Sequence, residues 1–132
     1  MTDHDAVLAA NLEFYRAFAM RDPAAMDALW ARHAAVACLH PGWAALTERE
    51  AIISSWSGIL ASRDAPRIAC FDERVMLYGD VALVLCEEEL DGGTLAASNL
   101  FVREDGVWRL AHHHAGAIVS RPSERRRPSR LN

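Results

Sequence analysis

The chain has 132 residues, of which 52% are hydrophobic and 24% charged, with a formal net charge of −4. This length suits one domain around one core and is too short for two ordinary ones, and the hydrophobic share excludes an intrinsically disordered chain. The acidic balance excludes a general nucleic-acid-binding surface, and no apolar run is long enough to span a bilayer.

The first residues, Met1-Thr2-Asp3-His4-Asp5, are acidic where a secretory signal is basic and then apolar, so a cytoplasmic protein is expected. Thr2 or Asp3 is placed to cap a first helix, in which Val7, Asn11, Phe14, Tyr15 and Phe18 recur at helical spacing. Asp22 as N-cap and Pro23 at the first helical position start a second, shorter helix, with Met26, Leu29 and Trp30 on its buried side. Residues 35–39 read as a short strand, and His40-Pro41-Gly42-Trp43 as a loop. Thr47-Glu48-Arg49-Glu50 has the pattern of a capping box, which predicts a third helix presenting Ile52, Ile53, Trp56, Ile59 and Leu60 on one face. Residues 67–78, 81–90, 94–103 and 107–119 read as four strands joined by turns at Gly79-Asp80, Asp91-Gly92-Gly93 and Asp105-Gly106. Short turns between consecutive strands imply an antiparallel meander, so the class is α+β. Residues 1–119 form the domain. Residues 120–132, rich in arginine and without periodic apolar positions, read as a disordered tail.

The polar residues set among apolar ones are His40, Glu87–Glu89, Asn99 and His112–His114. Each alone has an ordinary structural explanation, since a buried polar group needs a partner. Together they include imidazoles and carboxylates, the usual general acid/base pair near neutral pH. Alternation sends Glu88 to the face of Cys86, Val84 and Ala82, and His113 to the face opposite His112 and His114. Both faces of strand 81–90 are apolar, which predicts helices over one and a second subunit over the other. The pattern does not say which carries the pocket, and a bulge would reverse the parity. Antiparallel pairing about the turns brings Glu88, Asn99 and the His112–His114 end to one end of the sheet, where the His40–Trp43 loop can close a cavity. Trp43 and Trp56 are expected as apolar walls, although Trp56 and Trp30 also suit ordinary core packing. His112 and His114 with Glu87 or Glu88 form a weaker metal-binding alternative; neither metal nor cofactor is expected. Cys38, Cys70 and Cys86 are widely spaced and read as buried free thiols, with a catalytic cysteine the lesser alternative.

The segments His40-Pro41-Gly42-Trp43, Ser54-Ser55-Trp56, Ala97-Ser98-Asn99-Leu100-Phe101 and Trp108–Ala115 resemble a SnoaL-like branch of the nuclear transport factor 2-like superfamily, which also holds ketosteroid isomerases and the association domain of calmodulin-dependent kinase. The resemblance runs from the first helix to Val119. It implies a cone-shaped curved antiparallel sheet wrapped around the three helices, a cavity open at one end, and a homodimer through the outer sheet face. By the same resemblance, Asn99 and His113 are cavity-facing and Glu88 matches a carboxylate of the branch. The catalytic Asp of ketosteroid isomerases and their Tyr plus protonated Asp pair have no matching positions. The expectation is a small apolar molecule bound in the cavity, with Glu88 and His113 as catalytic candidates and His40, Trp43, Trp56 and Asn99 as ligand contacts. Isomerisation, cyclisation and hydrolysis are the reaction classes considered. A non-catalytic binding or dimeric assembly module is the alternative.

Overall fold

The computed structural model describes residues 1–122. Helix α1 (Asp3–Ala19) begins at Thr2, whose hydroxyl accepts from the Asp5 amide while the Asp5 carboxylate accepts from the Thr2 amide. The expected stripe of Val7, Asn11, Phe14, Tyr15 and Phe18 is buried. Helix α2 (Pro23–Leu29) is capped by the Asp22 carboxylate, which accepts from the Ala25 amide at 3.0 Å.

Helix α3 (Arg49–Ala61) departs from the expected capping box: Glu48, not Thr47, is its N-cap, and no side chain bonds the first amides. The cause lies upstream. Leu46 is tied to Cys38 by reciprocal backbone bonds of 2.8 and 2.9 Å, so the chain is still extended there and turns helical later. Arg49 anchors the start instead, donating to the carbonyls of Asp27, Trp30 and Ala31 at the C-terminal end of α2.

Strands β1 (Ala37–Leu39), β2 (Ala69–Tyr78), β3 (Val81–Leu90), β4 (Gly93–Glu104) and β5 (Val107–Ala117) form one sheet in the order β1-β5-β4-β3-β2. The four long strands are the expected meander. The short one adds to β5 in parallel, so the sheet is mixed rather than wholly antiparallel. Asp105 and Gly106 both take positive φ, +51° and +78°, as the tight β4–β5 turn requires. The adjoining Glu104 carboxylate accepts the amides of Arg32, His33 and Ala34 at 2.8–2.9 Å and so fixes the segment between α2 and β1. Burial opposes its ionisation, but the three donors prevail and hold its pKa at about 2.

The helices pack on one face of the sheet, where Ala82, Val84, Cys86, Ala97, Phe101 and Leu110 are buried against α1 and α3. The other face leaves Phe71 and Leu85 exposed. No helix among the described residues is long and apolar enough to cross a membrane. Residues 123–132, most of the expected tail, lie outside the described residues. At its start, Arg121 forks onto the Glu87 carboxylate at 2.7 and 3.0 Å.

Candidate functional site

A bulge decides which histidine faces the helices. Leu100 pairs with His112 and Phe101 with Leu110, so Ala111 is an extra residue in β5 with no partner. Trp108 and Leu110 face the core before it, His113 and Ala115 after it. Unbroken alternation from Leu110 would have turned His112 and His114 inward; the bulge turns His113 inward and leaves His114 exposed. Glu88 follows Ala82, Val84 and Cys86 on the same inner face. Glu88 is 2% exposed and His113 3%. His112 and His114 therefore lie on the face opposite Glu88, which removes the metal set with Glu88; Glu87 shares their face, but its carboxylate is held by Arg121. Among the described residues no cluster of three or more His, Cys, Asp or Glu side chains is placed to hold a metal ion.

Glu88 and His113 line a cavity of about 230 Å³ between the open end of the sheet and the helices. Phe14 and Phe18 of α1, Trp56 and Ile59 of α3, Leu90 and Leu95 of the sheet, and Pro66 and Ile68 ahead of β2 make its walls apolar. The loop after β1 adds His40, Pro41 and Trp43, with Gly42 at φ +81° turning the chain. Trp43 is 50% exposed and packs against the buried His40 ring at 4.6 Å, which places it at the rim. Trp56 is buried, edge-on to Phe14, Phe18 and His40. It serves as both cavity wall and core.

Asn99 does not line the cavity. It sits behind His113, directly across the β4–β5 ladder, fully buried. The expectation of a ligand contact is corrected here because its polar atoms are engaged within the protein. Its Oδ1 lies 2.6 Å from His113 Nδ1, and its Nδ2 donates to Asn11 Oδ1 at 2.8 Å and to the Tyr15 hydroxyl at 3.2 Å. Tyr15 in turn donates to Glu88 Oε2 at 2.6 Å.

The directions of these bonds follow from counting hydrogens. The single hydroxyl hydrogen of Tyr15 goes to the carboxyl group, so its oxygen accepts from Asn99 Nδ2. The Asn99 amide is thereby oriented with Oδ1 toward His113, and a neutral His113 must carry its proton on Nδ1. Its Nε2 keeps a lone pair. Four side chains form one chain of donors running from His113 through Asn99 and Tyr15 to Glu88. The sequence pattern shows Tyr15 and Asn11 only as members of the α1 stripe. The signal available was the presence of an amide and a phenol in a stripe otherwise apolar.

A parallel count fixes His40. The Ser55 hydroxyl donates to the Ile52 carbonyl at 2.7 Å, so it accepts from His40 Nε2 at 2.9 Å, and His40 Nδ1 keeps its lone pair.

Burial sets the protonation of the site. It pushes His113 down to about 3, with His40, His112 and His114 adding to the effect, and it lowers His40 as well. Both imidazoles are therefore neutral at pH 7. Burial raises the pKa of Glu88, and the Tyr15 hydrogen bond partly opposes the rise. Tyr15 is raised by burial and by the neighbouring Glu88 charge. Cys86, beside the Tyr15 hydroxyl at 3.3 Å, is lowered chiefly by its hydrogen bond with Cys70, whose own pKa rises. Cys38 is pushed by burial to about 12, an inert thiol.

Three helices on one face of a five-stranded sheet, closing an apolar cavity at its end, is the plan of nuclear transport factor 2-like and cystatin-like folds. The chain belongs to the SnoaL-like domain family, whose profile matches residues 7–120. It is similar to a candidate dehydratase of the nuclear transport factor 2-like family from Streptomyces avermitilis, with 31% identity and a TM-score of 0.81 over 89% of this chain and 97% of that one. It is also similar to a candidate association domain of a calcium/calmodulin-dependent protein kinase type II from Thiobacillus denitrificans, with 30% identity and a TM-score of 0.76 over 84% and 94%. An F-box protein, SKIP8, of Arabidopsis thaliana is 26% identical over 116 residues, 86% of this chain; the chain spans 50% of that relative.

Proposed function

We propose that this protein binds a small, mainly apolar molecule in the cavity and moves a proton on it, with His113 as base and Glu88 as acid. The observation that carries this reading is the donor chain from His113 through Asn99 and Tyr15 to Glu88. It orients the unprotonated Nε2 of a neutral imidazole away from Asn99 at a cavity wall, and it leaves Glu88 Oε1 without a protein partner among the described residues. His113 Nε2 takes a proton from the ligand. Glu88, whose raised pKa favours its protonated form, delivers one from Oε1 to a second atom. Proton removal at one atom and delivery at another serves isomerisation, and it serves loss of water when the second atom is a hydroxyl oxygen. The likeness to the candidate dehydratase from Streptomyces avermitilis favours that second outcome.

The protein is further proposed to be a cytoplasmic homodimer that buries the outer sheet face, where Phe71 and Leu85 are exposed. A second functional reading, binding without turnover or a dimeric assembly module, is favoured by the likeness to the candidate kinase association domain. A thermal-shift screen of small apolar hydroxy and carbonyl compounds, followed by product analysis on the hits, separates the readings. Glu88→Gln and His113→Ala are expected to abolish turnover while the protein stays folded. Hits that bind without any product support the second reading. Turnover that survives both substitutions contradicts the first.

A further inference from the structure

The cavity wall contains no positive charge at neutral pH. Its imidazoles are neutral and its one carboxyl group is Glu88. Cations lie just outside. A groove of about 440 Å³ adjoins the cavity through Phe18, Pro66 and Ile68, which line both, and Arg21 and Arg67 also line it.

Arg21 occupies a costly position. It follows the C-cap of α1 with φ +51°, a left-handed conformation that glycine adopts without penalty. Its amide donates to the Phe18 carbonyl at 3.1 Å, and the Asp22 amide closes the turn onto Ala17 at 2.9 Å. The guanidinium of Arg21 donates to the Ser62 carbonyl, just past α3, at 2.5 Å. Within the described residues, Arg16, Arg32, Arg49, Arg74, Arg103 and Arg121 each meet a carboxylate within 4.0 Å. Arg21 and Arg67, like Arg63 and Arg109, make no ion pair among those residues, and of these four only Arg21 and Arg67 line the groove that adjoins the cavity. Glu89 and Asp91 border a second groove on the other side of Arg67 without pairing to it.

We propose that the ligand is a small ring-containing carboxylic acid, with its ring in the cavity and its carboxylate at the mouth between Arg21 and Arg67. This rests on the reading above that the cavity binds a small apolar molecule. The walls supply ring faces and edges from Phe14, Phe18, Trp43 and Trp56, and the volume suits a single ring with a short chain. The orientation follows from charge. A carboxylate directed inward loses its hydration and meets no cation; directed outward it stays hydrated in a groove lined by Arg21 and Arg67.

The test uses the full chain and three matched pairs: phenylacetate, phenylpropanoate and phenylbutanoate, each with its primary amide, titrated calorimetrically near pH 7.5. At least one acid is expected to bind about fivefold tighter than its amide in roughly 50 mM salt, with the preference shrinking toward about 0.5 M as the charges are screened. In the Arg21→Gln/Arg67→Gln double variant the preference for acid over amide disappears. Arg67→Glu, a surface change that leaves the α1 turn untouched, makes the amide the better ligand. Acid and amide binding equally to the unaltered protein, or a preference that survives the double variant, overturns the proposal and leaves the cavity reading standing. Failure of every acid and amide to bind contradicts the cavity reading as well.

Discussion

Replacing Tyr15 by Phe removes one oxygen atom from the middle of the donor chain and little else. In the structure that hydroxyl donates at 2.6 Å to Glu88 Oε2 and accepts at 3.2 Å from Asn99 Nδ2. Asn99 retains its 2.8 Å bond to Asn11 and is not orphaned. Glu88 Oε2 loses its only protein partner among the described residues. The main cost is therefore one short bond to a buried carboxyl group, about 2 kcal/mol, or a fall in Tm of about 7 °C for a domain of this size. The cost depends on pH in a definite sense. Burial raises the pKa of Glu88 in the folded state, so its contribution to stability is fully present below the unfolded value and is lost as pH rises through the folded one. The Tyr15 hydroxyl favours the ionised form, so Tyr15→Phe raises that pKa further and deepens the loss on the alkaline side. Urea unfolding of both proteins at about pH 4.5 and about pH 7.5 measures the difference directly. The expected destabilisation is larger at the higher pH. A variant within about 0.5 kcal/mol of the original at about pH 7.5 would refute the donor chain as described.

Other outcomes follow from the same geometry. Glu104→Ala removes the acceptor of three backbone amides and is expected to cost about 1–2 kcal/mol, a figure reduced for its solvent exposure; scanning the unaltered protein by circular dichroism should show this contribution present above pH 4.5 and fading as pH falls toward about 2. Asp22→Ala is expected to cost about 1 kcal/mol by urea unfolding, whereas Thr47→Ala, at a residue that caps nothing, stays within about 0.3 kcal/mol. Sedimentation at micromolar concentration is expected to show a dimer, with an interface of about 1,200–2,000 Å² in total; a monomer contradicts the role given to the outer sheet face.

The parts of this fold that were legible in the sequence are those governed by local rules. The α1 stripe followed from apolar spacing, the start of α2 from Asp22-Pro23, and the β4–β5 turn from Asp105-Gly106. Turn positions brought Glu88, Asn99 and His112–His114 to one end of the sheet beside the His40–Trp43 loop, but parity did not say which face carries the cavity, and His113 was assigned to it by the resemblance alone. What escaped depends on contacts distant in the chain. The bulge at Ala111, which selects His113 over its neighbours, has no glycine to mark it. Thr47 has capping chemistry, yet the Leu46–Cys38 bridge keeps the chain extended beside it. Asn99 was placed at the right end of the sheet and one layer too shallow, because its partners, Asn11 and Tyr15, come from a helix far away in sequence. Parallel addition of β1 to β5 likewise leaves no mark in three residues of strand.

The central claim is that the protein holds His113 as a neutral base with its lone pair on Nε2. Nitrogen-15 NMR of the imidazoles tests it without any knowledge of the ligand. At pH 7 the signals of His113 should report a protonated Nδ1 coupled across a hydrogen bond to Asn99 and an unprotonated Nε2, and they should not titrate until the pH falls well below the ordinary histidine range, toward about 3. A proton on Nε2, or an imidazolium forming near pH 6.5 as in an exposed histidine, contradicts the account.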